Sequence, residues 1–364
     1  MNNPEIKPLT GIRAAAALWV VLYHTQKELQ HSFPQFYLLV SPLIAHGYLG
    51  VDLFFILSGF IIYYNYAGRL TPFRLSAYGE YLWMRLARIW PVHMTILLLY
   101  AVVVTGAHLK GWVPAHPEIY SLRDFIRNVL LIHAWAIPDR VSWNGPAWSI
   151  SCEWLVYLLL PIFLMTRTVS ERPFNLFLQV LVALLGTATI CQNLNDTGGV
   201  QNGVIRVIGE FFGGCGLCRI YHSGIGSGYP WNFIVPLAFL AIVGVCHFIF
   251  HFVGLMAYWC VPLLGVIILG LAYNQGIAAR FFSTKVMLFG GYTSYSLYMV
   301  HLPCLIVLGN LGGHFHLPIM TSEPVCLLVM ISVATAMFYL VEEPCRMAMR
   351  KVYPWHKQQP YPVI

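Results

Sequence analysis

An arginine and a histidine, Arg13 and His24, share the first hydrophobic stretch of the chain, with ten apolar or small residues between them, AAAALWVVLY. Charged side chains inside a membrane span are costly, and those that persist usually face a protein interior and do a job there. On a helix, eleven positions bring the chain back to within ~20° of its start and separate the two residues by ~16 Å. One helix face then carries a fixed cation near one membrane surface and a titratable base near the other. A guanidinium stays charged and forks onto phosphate. An imidazole, with an ordinary pKa of ~6.5, takes up and returns a proton near neutral pH. The bland alternatives are an arginine snorkelling to lipid phosphate and a histidine satisfied within a helix bundle.

Few other ionisable residues lie in apolar stretches. Among them are Asp52, Glu153, Glu210, Arg206 and His301. Glu153, in PAWSISCEWLVYLLLP, is expected about two turns below the outer surface, near the depth of His24. There it either orients the imidazole, binds an acceptor hydroxyl or ties down a helix backbone. Asp52, in GYLGVDLFFILSGF, sits near a midplane and needs a partner; Arg13, His24 or an arginine of the following loop are the candidates. Gly47, Gly50 and Gly59, with Ser58, allow close helix approach around it. His301 and Tyr298, in SYSLYMVHLP, and Trp148, ahead of Glu153, are candidate substrate-binding residues. Arg85 and Arg88, three apart in RLARIWP, share one helical face. They form either a lipid-facing topogenic patch or a phosphate clamp that continues the Arg13 site.

The elements that must position these residues are membrane helices. The chain has 364 residues, 58% hydrophobic and only 10% charged, with a mean hydropathy of +0.68. A soluble domain carries about 25% charged residues. About 20 apolar residues span a bilayer core, and ten stretches qualify: 9–30, 43–66, 90–107, 147–166, 174–192, 204–222, 231–250, 253–273, 287–309 and 323–342. Segment 124–138 is short, contains Arg127 and reads as a re-entrant or interfacial helix. The expected architecture is therefore an all-α polytopic bundle of about ten spans forming one domain.

Basic residues mark the sides. Arg69, Arg74, Arg85, Arg88, Arg167, Arg172, Arg219, Arg280 and Lys285 fall on one side, with Arg346, Arg350, Lys351 and Lys357 of the tail. The opposite loops are poorer except 108–146, which holds Lys110, Arg123, Arg127 and Arg140. The pattern predicts both termini in the cytoplasm, and it accounts for the net charge of +7 without a nucleic-acid partner. Trp112, Trp135 and Trp143 of the aromatic outer loop fit an interfacial belt or a surface that stacks on sugar rings. The nine cysteines are scattered and read as small core residues, the Cys215/Cys218 pair included. No metal site is expected, and no pattern in the chain specifies an oligomer.

Taken in order, LTGIRAAAALWVVLYH, GYLGVDLFFILSGFII, RLARIWP, PAWSISCEWLVYLLLP, SYSLYMVHLP and a final EEP resemble the acyltransferase-3 family of integral membrane proteins over roughly Lys7 to Pro344. The resemblance implies transfer of an acyl group, usually acetyl, from acetyl-CoA or another acyl-CoA in the cytoplasm to a carbohydrate or other envelope acceptor, such as a glycan or lipid-linked glycan. It implies that His24 is the catalytic histidine, Arg13 its arginine partner, Arg85 and Arg88 the family's arginine motif, and Glu153 the acid of its W-S-x-x-x-E block. Residence in a bacterial inner (plasma) membrane follows. Many members carry an appended SGNH-type esterase domain; this chain reaches only Ile364, so a stand-alone form is expected. In this scheme Arg85 and Arg88 hold the phosphates, Arg13 meets the pantetheine arm, and His24, oriented by Glu153 or Asp52, activates the acceptor hydroxyl. A glycan exporter using the same polar track is the competing reading, and it predicts transport without acyl-CoA consumption.

Overall fold

Apolar stretches of this length satisfy their backbone groups in lipid only as helices. The structure is a computed structural model that describes residues 3–111, 116–135, 141–165, 173–193, 202–253 and 257–352. Trp112, Arg140, Arg167, Arg172 and Lys357, used above for sidedness and the aromatic loop, lie outside the described residues. Every regular element among those described is helical: α1 (Lys7–His24), α2 (Gln26–Ser32), α3 (Pro34–Ile44), α4 (Leu49–Tyr66), α5 (Leu75–Leu109), α6 (Leu122–Val129), α7 (Trp148–Met165), α8 (Pro173–Asn193), α9 (Gly203–His222), α10 (Trp231–Phe248), α11 (Val261–Ala272), α12 (Gly276–Phe282), α13 (Lys285–His314), α14 (Glu323–Met337) and α15 (Glu343–Val352).

Where they are described, the ten apolar stretches are largely helical, but they are not ten equal spans. Among the described residues seven helices are long and apolar enough to cross a membrane, and a pair bent by 83°, Tyr258–Ala272 with Gly276–Phe282, makes up to eight. Helices α1 and α9 have 18 and 20 residues yet are too polar to qualify, because each carries an inward-facing polar set. The bend after α11 follows from two residues with positive φ, Asn274 at 54° and Gly276 at 84°.

Helix ends differ from the apolar limits for local reasons. The first stretch stops at His24, because Thr25 turns its hydroxyl back to Val21 O at 3.2 Å and across to Glu323 at 3.0 Å. The segment with Arg85 and Arg88 is no loop: it is the first half of α5, a 35-residue helix ~52 Å long. The last stretch widens into a π-turn, Phe338–Glu342, before α15. The expected 124–138 helix shortens to α6, capped by Ser121, whose Oγ accepts from Asp124 N at 3.1 Å. The chain then folds back onto α7. Ser151 Oγ donates to Leu131 O at 2.9 Å and accepts from Ala134 N at 3.1 Å, and Trp135 donates to Ser151 O at 2.8 Å. Trp135 and Trp143 are thus hydrogen-bonded into the protein, Trp143 through Ser121 O.

Glycines set the spacing around α1. A Cβ on Gly50 of α4 would lie 2.6 Å from Ala16 O, and one on Gly291 of α13 would lie 2.0 Å from Thr10 O. Helix α1 is therefore clasped between α4 and α13. It runs parallel to α13, with Thr10 beside Gly291 and His24 beside His301. It runs antiparallel to α4, with Trp19 at Gly47 and Ala16 at Gly50.

Candidate active site

The clasp leaves one cavity along α1. It is lined by Arg13 of α1, Ser58 of α4, Arg85 and Arg88 of α5, Glu153 and Tyr157 of α7 and Tyr298 of α13, with Arg350 of α15 at the arginine end. Arg88 is ion-paired with Glu342, which the π-turn presents and which also accepts from Ser296 Oγ at 2.6 Å. A π-turn re-aims one residue out of helical register, and such turns recur at functional sites. Arg85 donates to Tyr66 OH at 2.8 Å and lies over that ring, 4.8 Å from its centre. Arg13 differs from both, for it makes no hydrogen bond or ion pair with a described residue. A guanidinium facing a cavity without a carboxylate partner is set up to receive an anion.

Further along the cavity Glu153 accepts from Ser58 Oγ and from Tyr157 OH, both at 2.5 Å. Tyr157 lies one turn after Glu153, so the two share a helix face. Ser149, another lining residue, is 2.8 Å from Tyr298 OH, and that hydroxyl donates to Pro146 O at 3.0 Å.

Tyr298 leads to the histidines. Its ring centre is 5.8 Å from that of His301, and the His301 ring is 4.8 Å from that of His24. His24 Nδ1 is 2.8 Å from Val20 O. A carbonyl oxygen can only accept, so Nδ1 carries the proton and Nε2 keeps its lone pair, the form a general base requires. His301 is held likewise, Nδ1 to Tyr298 O at 2.6 Å, and its buried Nε2 has no partner among the described residues. The two imidazoles thus meet beyond the cavity, at the C-terminal end of α1.

A family model described as an acyltransferase domain, that of the acyltransferase-3 proteins, matches residues 6–341. The chain belongs to the acyltransferase-3 family. It is 25% identical over 381 residues to the O-acetyltransferase OatA of Staphylococcus aureus, covering 95% of this chain and 58% of that protein. It is 27% identical over 192 residues to the acyltransferase MdmB of Streptomyces mycarofaciens, covering 51% and 46%. Protein 2 in the picA locus of Rhizobium radiobacter is 27% identical over 193 residues, covering 50% and 93%. The chain thus spans less than two thirds of the length of OatA and of MdmB. No solved structure matches it.

Against this acyltransferase-3 background the structure corrects three sequence expectations. Asp52 pairs with none of its expected partners: Arg206 of α9 takes it side-on, Nε to Oδ1 at 3.0 Å and Nη2 to Oδ2 at 2.9 Å, both side chains fully buried. The reason is the parallel packing of α4 and α9, with Gly59 against Phe211 O and Cys215 donating to Gly59 O. Trp148 is 8% exposed and packs on that ion pair, the Arg206 guanidinium 5.3 Å from its ring centre, so it does not line the cavity. Glu153 has no hydrogen bond to His24 among the described residues and lines the cavity that the arginines also line. Counting rise along α7 from a presumed start gave its depth but not which face of the helix turns to α4 and α5. The sequence reading did not single out Tyr157 or Glu342 as site residues. Tyr157 was traceable as the i+4 neighbour of Glu153, and Glu342 as the first residue of the EEP motif; the π-turn that aims Glu342 has no such signal.

Proposed function

We propose that this protein is a membrane-embedded O-acyltransferase. It takes a short acyl group, acetyl foremost, from acyl-CoA on the cytoplasmic side and passes it to a hydroxyl of an envelope carbohydrate or lipid-linked glycan on the other. The observation that carries the reading is Arg13, an inward-facing guanidinium without a partner among the described residues, in a cavity whose lining residue Tyr298 contacts the His301–His24 pair. Family membership supports acyl transfer, and the printed activity of OatA, O-acetyl transfer, supports a hydroxyl acceptor.

In this mechanism the donor's phosphates meet Arg85 and Arg88, and its arm passes Arg13, Ser58 and Tyr298. His24 Nε2 takes the proton of the acceptor hydroxyl as its oxygen attacks the thioester carbonyl. The carbon–sulfur bond breaks and the thiol leaves with that proton. His301 orients the acceptor or the imidazole. The hydrocarbon surroundings keep water from the thioester. The fold supports ten crossings when α1, α9 and the bent pair are counted with the seven long helices, with both termini cytoplasmic. The parallel pairs α1/α13 and α4/α9 have the directions that alternating crossings require.

The test is radiolabelled acetyl transfer from acetyl-CoA in membrane vesicles of both orientations, with envelope glycans analysed by mass spectrometry. Label enters glycan when acetyl-CoA has access to the cytoplasmic face. The His24→Ala protein, inserted at normal levels, loses about 10²- to 10⁴-fold of the transfer. Full transfer by that variant sinks the His24 assignment, and glycan movement without acetyl-CoA consumption sinks the enzyme.

A further inference from the structure

Helix α15 lies beyond the residues matched by the family model, which end at 341. Yet it reaches the cavity: Arg350 lines it together with Arg13, Arg85 and Arg88. The helix is docked on α5, with Trp83 donating to Met349 O at 2.7 Å, one residue before Arg350. That bond fixes the backbone from which Arg350 extends. Arg85 and Arg88 are among the charges that act on Arg350. One turn earlier, Arg346 is ion-paired with Glu343. Four guanidiniums, Arg13, Arg85, Arg88 and Arg350, thus line one cavity whose lining includes a single carboxylate, Glu153. Like charges gathered in a poorly solvated place repel, and a ligand carrying several negative charges relieves this.

We propose that Arg350 is a phosphate-binding residue for the acyl donor, so that the donor site is completed by a helix outside the matched family domain. This rests on the donor reading given above. A diphosphate-bearing donor engages guanidiniums from α5 and α15 together, and its binding tightens α15 against α5. The shared chemistry is phosphate, which a lipid headgroup also offers, and the experiment separates the two.

The full chain is reconstituted in nanodiscs of phosphatidylcholine, and binding of CoA and of pantetheine, which keeps the arm and lacks the nucleotide phosphates, is measured by calorimetry. Arg350→Ala weakens CoA binding about tenfold or more and leaves pantetheine unchanged. Arg350→Lys recovers part of the loss, and Arg280→Ala, an exposed arginine of α12, changes nothing. An unchanged CoA affinity in Arg350→Ala, or equal losses for CoA and pantetheine, overturns the proposal. So does an effect that appears only in discs containing phosphatidylglycerol, which assigns the residue to lipid. If the wild-type protein binds no CoA, the donor reading itself fails. If it binds CoA and Arg85→Ala loses it while Arg350→Ala does not, the Arg350 assignment alone fails.

Discussion

At the scale of single residues, the three arginines proposed to hold the donor are unequal. Arg88 is tied to a fully buried Glu342, Arg85 is stacked on Tyr66, and Arg13 has no hydrogen-bond or ion-pair partner among the described residues. Removing one member of a buried pair leaves the other charge stranded, at a cost of about 3–5 kcal/mol. Arg88→Ala is therefore expected to lower folding yield and melting temperature, with Glu342→Gln in the same chain restoring part of both. Arg85→Ala is expected to fold normally and to raise the apparent KM for acyl-CoA about tenfold, with the KM for acceptor unchanged. Steady-state kinetics beside thermal unfolding separates the two; equal KM effects for both substrates would assign Arg85 to structure. The residue types were legible from the chain, since ionisable groups in hydrophobic stretches are few. Their pairings were not. Asp52 meets Arg206 across 154 positions of sequence, and no local spacing connects them.

At the scale of elements, close helix approach holds the site together, and glycine permits it. A Cβ on Gly59 would fall 1.8 Å from Phe211 O, whereas one on Gly68, past the end of α4, would meet nothing within 4 Å. Gly59→Ala is thus expected to force α4 and α9 apart and to cost about 1–3 kcal/mol, read as a lower melting temperature in detergent. Gly68→Ala is expected to be neutral. A Gly59→Ala protein as stable as the parent would mean that α4 and α9 do not touch there. The glycine pattern around Asp52 announced tight packing from sequence alone, but it named no partner helix. The two breaks in periodicity that matter for the site, Thr25 after His24 and the π-turn at Glu342, were invisible to an apolar-length argument. Each depends on a tertiary hydrogen bond or ion pair, to Glu323 in the first case and to Arg88 in the second.

At the scale of the whole molecule, the proposed transfer across a membrane requires that the arginine-lined cavity and the histidine pair open to opposite sides. An even number of crossings brings both termini to one face. Accessibility labelling of single cysteines placed near residue 3 and near residue 352, in a background with the native cysteines replaced, is expected to mark both from the cytoplasmic face only. Labelling from opposite faces would mean an odd count, and one of α1, α9 or the α11–α12 pair would then not cross.

Hydrophobicity and the order of motifs fixed the class of this protein before any coordinates: a polytopic helical membrane protein of the acyltransferase-3 family, with Arg13 and His24 at opposite ends of one helix face. Those conclusions follow from the chain because solvent transfer and helix periodicity act locally, residue by residue. Which helices become neighbours was decided only in three dimensions, by packing of glycine faces and by the need of each buried charge for a partner. That requirement committed Asp52 and Trp148 to Arg206 and bound Glu153 to Ser58 and Tyr157, while helix packing brought Arg350 to a cavity that no motif in the sequence connects with it.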